Sequence, residues 1–209
     1  MDSELRANLQ AAAQVLYHAL YREPKLDFLR TLQGAGAARS WPDYAQNATQ
    51  KQALVQLERA LSQPTEALLA QLKPDFAALF IGPGPLKAIP WGSPYLHEKR
   101  LLCGPSTQAL MQWYRHHGIE VNSDSNEPLD HIGLLLSVIA LLVSDPGKDP
   151  VLTELLRDHL LPWSGRMLSL MQTQAQTDYY QAIAGLTQAL LDTLSNALAI
   201  TTPEVRLYA

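Results

Sequence analysis

Residues 82–94 read GPGPLKAIPWGSP, four prolines and three glycines in thirteen positions. Proline cannot donate to a hydrogen-bond ladder, and glycine loses the most conformational freedom on ordering. No regular element accommodates that stretch, so the chain must cross it as a stiff, irregular loop. On both sides of it the pattern is helical. Leu5, Leu9, Ala12, Ala13, Leu16 and Leu20 recur at helical spacing over residues 3–21, and Pro24 stops them. A short helix is expected at 25–33, a helical turn at 41–47 and a helix at 50–62 closed by Pro64. Residues 65–80 also read as helical, with Pro74 expected to kink or split them. Beyond the loop, a helix is expected at 106–117 with Gly118 just past its end. The polar run NSDSNEP leads into an apolar helix over 128–144, expected to be central and the most buried. The turn DPGKDP separates it from helical stretches at 151–161, 164–176 and 179–199.

Composition agrees with this punctuation. Leucine and alanine supply 38 and 26 residues, against 14 for valine and isoleucine together. That balance favours helix over sheet. The expected fold is all-α: a single globular bundle of about ten helices, in two parts joined around residues 82–104. The net charge of −4 lacks the positive field of a nucleic-acid binder. A single cysteine, Cys103, excludes an internal disulfide framework and any multi-cysteine metal site within the chain. The start, MDSELRANLQ, lacks the basic and apolar regions of a secretory signal. The apolar run at 132–143 is twelve residues, short of the ~20 that span a bilayer. A cytoplasmic protein, mainly monomeric, is expected.

Few residues offer chemistry. The loop has neither the Lys-Ser/Thr pair nor the strand-to-helix glycines of a phosphate cradle. It does hold Trp91 and Tyr95 on a stiff backbone, either to plug the bundle or to present an apolar peptide-binding surface. In Glu127-Pro128-Leu129-Asp130-His131, the proline and aspartate read as an ordinary helix start. His131 is left without that explanation. Glu127, Asp130 and His131 together define an alternative, a metal- or cofactor-binding helical enzyme. The second Glu-x-x-His copy of a helical di-iron site is missing. His116 and His117 are adjacent, point about 100° apart on a helix and cannot chelate together; a surface position is expected for them. His159 is expected near a helix C-terminus, satisfying carbonyls. Cys103 has no context that lowers its pKa, and no Gly-x-Ser-x-Gly elbow is present. No catalytic residue, resident cofactor or metal is expected.

Three motifs occur in order: FAALFIGPGPLKAIPWGSPYL at 76–96, Glu-Pro-x-Asp-His at 127–131 and His-Leu-x-Pro-Trp at 159–163. Together they resemble the TorD/DmsD family of chaperones for exported molybdoenzymes, and the stretch from Pro90 through Cys103-Gly104-x-Ser106-Thr107 to Trp113 and Gly118 is similar to its dimethyl sulfoxide reductase branch. The resemblance implies an all-helical fold with a Pro/Gly hinge. It implies a non-enzymatic, cytoplasmic role: binding the twin-arginine leader of a dimethyl sulfoxide reductase-like enzyme during maturation and proofreading. The leader of the molybdoenzyme's catalytic subunit is the implied partner, with the twin-arginine translocase as a further one and no nucleic acid. Leu79, Phe80, Pro90, Trp91, Gly104, Asp130 and His131 match the family's leader-binding surface, with Phe76 where relatives place a large aromatic. Ile89 and His97 depart from the family pattern, which otherwise holds a second proline and an acidic residue there.

The chemistry of such a leader fits these residue types. Two guanidiniums followed by an apolar stretch call for an apolar groove with carboxylates at one end. Phe76, Leu79, Phe80, Pro90 and Trp91 are candidates for the groove, and Glu127 and Asp130 for the carboxylates, which pair bidentately with arginine. His131, beside Asp130, is expected to titrate near neutral pH and could link affinity to protonation.

Overall fold

The computed structural model describes residues 1–121 and 127–209, and the described elements are helical. In chain order they are α1 (Ser3–Tyr21), α2 (Leu26–Gly34), α3 (Ala48–Leu61), α4 (Thr65–Phe76), the short α5 (Ser93–Leu96), α6 (Pro105–His116), α7 (Ile132–Leu142), α8 (Asp149–Glu154), α9 (Leu161–Gln174) and α10 (Asp178–Ala197). The NSDSN part of the expected polar run lies outside the described residues. Among the described residues no helix is long and apolar enough to cross a membrane.

Helix ends follow local chemistry. Asp2, Asn47 and Thr177 cap α1, α3 and α10, each accepting the amide three residues on. Gly118, at φ +62°, closes α6 as expected, with the Ile119 amide bonded to the Tyr114 carbonyl and that of Gly118 to Arg115.

Nine of the eleven residues of α7 are buried, as its apolar sequence predicts, and α1 packs along it. The approach is close because position 133 lacks a side chain: a Cβ there would sit 2.6 Å from that of Tyr21. On the other side α10 lies between α3 and α9. Arg6 of α1 forks onto both carboxylate oxygens of Asp149 at 2.8 and 2.7 Å and also donates to the Val143 carbonyl. Asp75 is buried and accepts from the Gln176 amide and from the amide and hydroxyl of Thr177, tying α4 to the start of α10.

Of the two outcomes expected at Pro74, the split does not occur: α4 continues past it and widens into a π-helical turn at Ala77–Ile81. Three expectations are corrected. Residues 41–47 form no helical turn. Pro42 interrupts them, and Trp41 and Tyr44 are drawn inward, the Tyr44 hydroxyl donating to the Leu186 carbonyl of α10. The stretches at 151–161 and 164–176 are continuous through a π-helical turn at Leu155–Leu160, so His159 sits inside a helical run, away from any terminus. Finally α7 begins at Ile132, with His131 as its cap, four residues later than Pro128 led one to expect.

After α10 the chain runs without regular structure, and its final residues return to the Pro/Gly region. The Tyr208 amide donates to the Tyr95 carbonyl, and Arg100 donates to the Tyr208 carbonyl. Arg166 of α9 reaches the Ala209 carbonyl.

Candidate functional site: the junction of three motifs

The stiff loop has no ladder of its own, so its amides bond to a distant segment. Trp91 and His131 face each other across an isolated antiparallel bridge. The Ile132 amide donates to the Pro90 carbonyl at 2.8 Å, and the Gly92 amide to the Asp130 carbonyl at 3.2 Å. The Ser93 amide donates to Asp130 Oδ2 at 2.7 Å. This is why α7 starts late. Residues 128–130 form a turn whose carboxylate serves the loop, while His131 caps the helix through Nδ1, which accepts the Gly133 amide at 3.0 Å.

His131 stands edge-on to two rings, Tyr21 at 5.1 Å and Trp91 at 5.6 Å between centroids. It is 4% exposed. Burial pushes its pKa down to about 3, from an ordinary 6.5. The ring is therefore neutral at physiological pH, with its proton on Nε2 because Nδ1 is an acceptor. The expectation of a histidine titrating near neutrality, and of affinity linked to it, is corrected.

The third motif closes the junction. A Cβ on Gly92 would lie 2.5 Å from Nε1 of Trp163, so only glycine admits the indole there. That Nε1 donates to the His159 carbonyl at 2.8 Å, and the ring stacks on Tyr95 at 5.7 Å. Between Gly92, Leu96, Leu110, Asp130, His159 and Trp163 lies a cavity of about 230 Å³.

At the junction the protein's own polar groups are incompletely matched. Among the described residues, Asp130 Oδ1, Trp91 Nε1 and the hydroxyls of Ser93, Tyr95, Thr107 and Tyr114 are buried without a hydrogen-bond partner. Burial, and secondarily the neighbouring Asp130, push the Tyr114 phenol upward. Buried polar atoms are rarely left unpaired. Six of them fall on the loop at 91–95, the turn at 130 and α6; the carboxylate oxygen calls for a donor, the indole for an acceptor, and the hydroxyls take either.

The remaining expected residues separate into two groups. Pro90 and Gly104 are buried at the junction and Trp91 and Glu127 are half-buried. Gly104 caps α6, 3.8 Å from the Ser93 side chain measured from a built Cβ. Phe76, Leu79 and Phe80 instead belong to the core: Phe76 and Phe80 meet at 5.1 Å and both pack on Tyr180. Phe76 also borders a cavity of about 270 Å³ with Pro24, Lys73 and Ile81. Exposed apolar side chains include Ile81 beside them, Leu101 and Leu102 just before Gly104, Met111 on α6, and Val55 and Leu141 away from the junction.

Sequence reasoning passed over Ser93, Thr107 and Tyr114 as site residues, and each looks unremarkable in a Leu-rich helical chain. It also passed over Glu154, which accepts from Trp113 Nε1 and pairs with His117, both at 3.0 Å, beside His159. These hydrogen bonds hold the Glu154 carboxyl below the usual range. His116 is exposed, as expected, but His117 is half-buried in this contact. Cys103 is exposed. For the metal alternative, no three His, Cys, Asp or Glu side chains converge among the described residues. Asp130 Oδ2 and His131 Nδ1 are both already engaged by amides.

Comparison with known proteins agrees with this junction of motifs. Residues 43–169 match the family model described as nitrate reductase delta subunit. The Tat proofreading chaperone DmsD of Haemophilus influenzae is 31% identical over 93% of this chain and 94% of its own length. Its counterpart in Salmonella paratyphi A is 42% identical over 54% of this chain and 55% of its own. The chaperone protein TorD of Aggregatibacter aphrophilus is 30% identical over 64% of this chain and 69% of its own. A redox enzyme maturation protein from Archaeoglobus fulgidus shares the fold, with a TM-score of 0.54 at 18% identity, covering 85% of this chain and 91% of that one. The family-model match and the near full-length similarity place this chain in the TorD/DmsD family.

Proposed function

We propose that the protein is a chaperone that binds the twin-arginine leader of a dimethyl sulfoxide reductase-like molybdoenzyme in the cytoplasm, without catalysis of its own. It holds the enzyme back from export until maturation is complete. The relatives named Tat proofreading chaperones support the role. One observation carries the site: Asp130 is buried, lines a half-open cavity and keeps one carboxylate oxygen without a partner. A guanidinium supplies planar, paired donors to such an oxygen and to the hydroxyls around it. Asp158, exposed at the cavity's edge, is already forked onto by Arg157, so Asp130 is the carboxylate that receives the leader. In this reading the apolar stretch of the leader lies over Trp91 and the exposed Leu101 and Leu102, and the 82–104 segment is the joint between two helical parts.

Titration of a labelled leader peptide tests this. Asp130→Asn keeps the shape and removes the charge, and should weaken binding about tenfold or more, the loss of one charge-assisted hydrogen bond. Replacing the leader's Arg-Arg by Lys-Lys should also weaken it, because an ammonium lacks the planar fork. Unchanged affinity in both experiments overturns the assignment.

A further inference from the structure

Glu154, the last residue of α8, is partly exposed and carries a carboxylate of fixed orientation. Trp113 Nε1 donates to its Oε2, and His117 Nε2 meets the same oxygen, each at 3.0 Å. Both partners stand one turn apart at the end of α6. Among the described residues, Oε1 has no hydrogen-bond partner. Arg157, three residues on, does not serve it, because its guanidinium forks onto Asp158.

Glu154 also stands close to the Asp130 cavity. It precedes His159 by five residues, a spacing that turns two side chains about 140° apart in an α-helix. The π-helical turn at Leu155–Leu160 brings residues five apart nearer to one face. Trp113 touches both, its ring 5.7 Å from that of His159 and its Nε1 on Glu154. His159 in turn lines the cavity with Asp130. Burial lowers the pKa of His159 against the pull of Asp158 and Glu154, so its ring carries no charge at neutral pH that would repel a cation.

Neighbouring residues point opposite ways in an extended chain and about 100° apart in a helix. Two adjacent arginines therefore cannot both send their side chains into one cavity of about 230 Å³. If Asp130 takes one guanidinium, the other needs an acceptor outside.

We propose that Glu154 receives the other guanidinium of the twin-arginine leader through Oε1, so that the two arginines are read by separate carboxylates. The inference rests on the function proposed above. A carboxylate already held by Trp113 and His117 has little freedom left to lose when a ligand arrives, and hydrogen bonds between two charged groups are the strong ones. The pairing also gives a reason for two arginines in sequence: one enters the cavity and its neighbour fixes the direction of the chain.

A double-mutant cycle on the full chain tests this, with the labelled leader titrated as Arg-Arg, Ala-Arg and Arg-Ala. Glu154→Gln still accepts from Trp113 through its carboxamide oxygen and turns an NH₂ outward, so the tie to α6 is kept while the acceptor is lost. It should weaken the Arg-Arg leader about tenfold. That loss should vanish on one of the two single-alanine leaders, and the loss caused by Asp130→Asn should vanish on the other. Unchanged affinity of Glu154→Gln for the Arg-Arg leader overturns the proposal. An equal loss on all three leaders overturns it too, since a defect of folding weakens every leader alike, and so does coupling of both variants to the same arginine. In each of these outcomes Asp130→Asn still weakens the Arg-Arg leader; if it does not, the function proposed above fails and this inference with it.

Discussion

At position 92 a single methyl group would enter the indole of Trp163 at 2.5 Å, and the indole cannot retreat because it is stacked on Tyr95 and bonded to His159. Gly92→Ala should therefore cost about 2–3 kcal/mol in urea unfolding, the price of overpacking a rigid site. At position 165 the same change meets open space, and Gly165→Ala should stabilise α9 by about 0.5–1 kcal/mol. His131 contributes to the response to acid, as do His18 and His159, whose pKa values burial also lowers. The folded pKa of His131 is depressed, so between pH 6.5 and about 3 the unfolded chain binds the extra proton. Stability is fully present above that window and falls as the pH drops through it, by up to about 1.4 kcal/mol per unit. His131→Asn, which can still cap α7, should flatten that slope in denaturation curves taken across the range; an unchanged slope would assign it to other groups.

Between elements, the firmest polar tie is the fork of Arg6 on Asp149, which joins α1 to α8 across 143 residues. Asp149 retains some contact with water, so Arg6→Ala should cost about 2–3 kcal/mol, less than a fully buried pair. The hydrogen bond from Arg6 holds the Asp149 carboxyl below its ordinary value. That contribution is present at neutral pH and is lost as the pH falls through and below the ordinary aspartate range, at the acid end of the window in which His131 acts. Element extents were largely legible in the sequence, because apolar spacing, Asp2 and Gly118 act locally. The start of α7 was not. Pro128 and Asp130 carry every local signal of a helix start, yet the loop at 90–93 claims the carboxylate and moves the cap to His131. Nor does spacing foretell that α4 passes through Pro74 into a π-helical turn.

Over the whole molecule, three motifs far apart in sequence meet at one junction: the loop at 90–95, the turn at 128–131 and the run at 159–163. Sequence reasoning could name Trp91, Asp130 and His131, because they depart from a Leu/Ala background. It could not tell an exposed aromatic from a buried one, so Phe76 and Phe80 read as groove although they pack on Tyr180. It also could not find Ser93, Thr107 and Tyr114, whose interest lies wholly in being buried and unmatched. With a net charge of −4 and Asp130 at the cavity, leader affinity should fall as salt rises, measured in the same titrations as the Arg-to-Lys comparison.

The return of residue 208 to Tyr95 and Arg100 has a consequence for the segment it touches. The wall of the junction at 93–100 is held in part by residue 208, and its lid by Trp163. Removing residues 201–209 should therefore unclasp the 93–100 segment while leaving the helices in place, read as faster protease cleavage within it at unchanged helical circular dichroism.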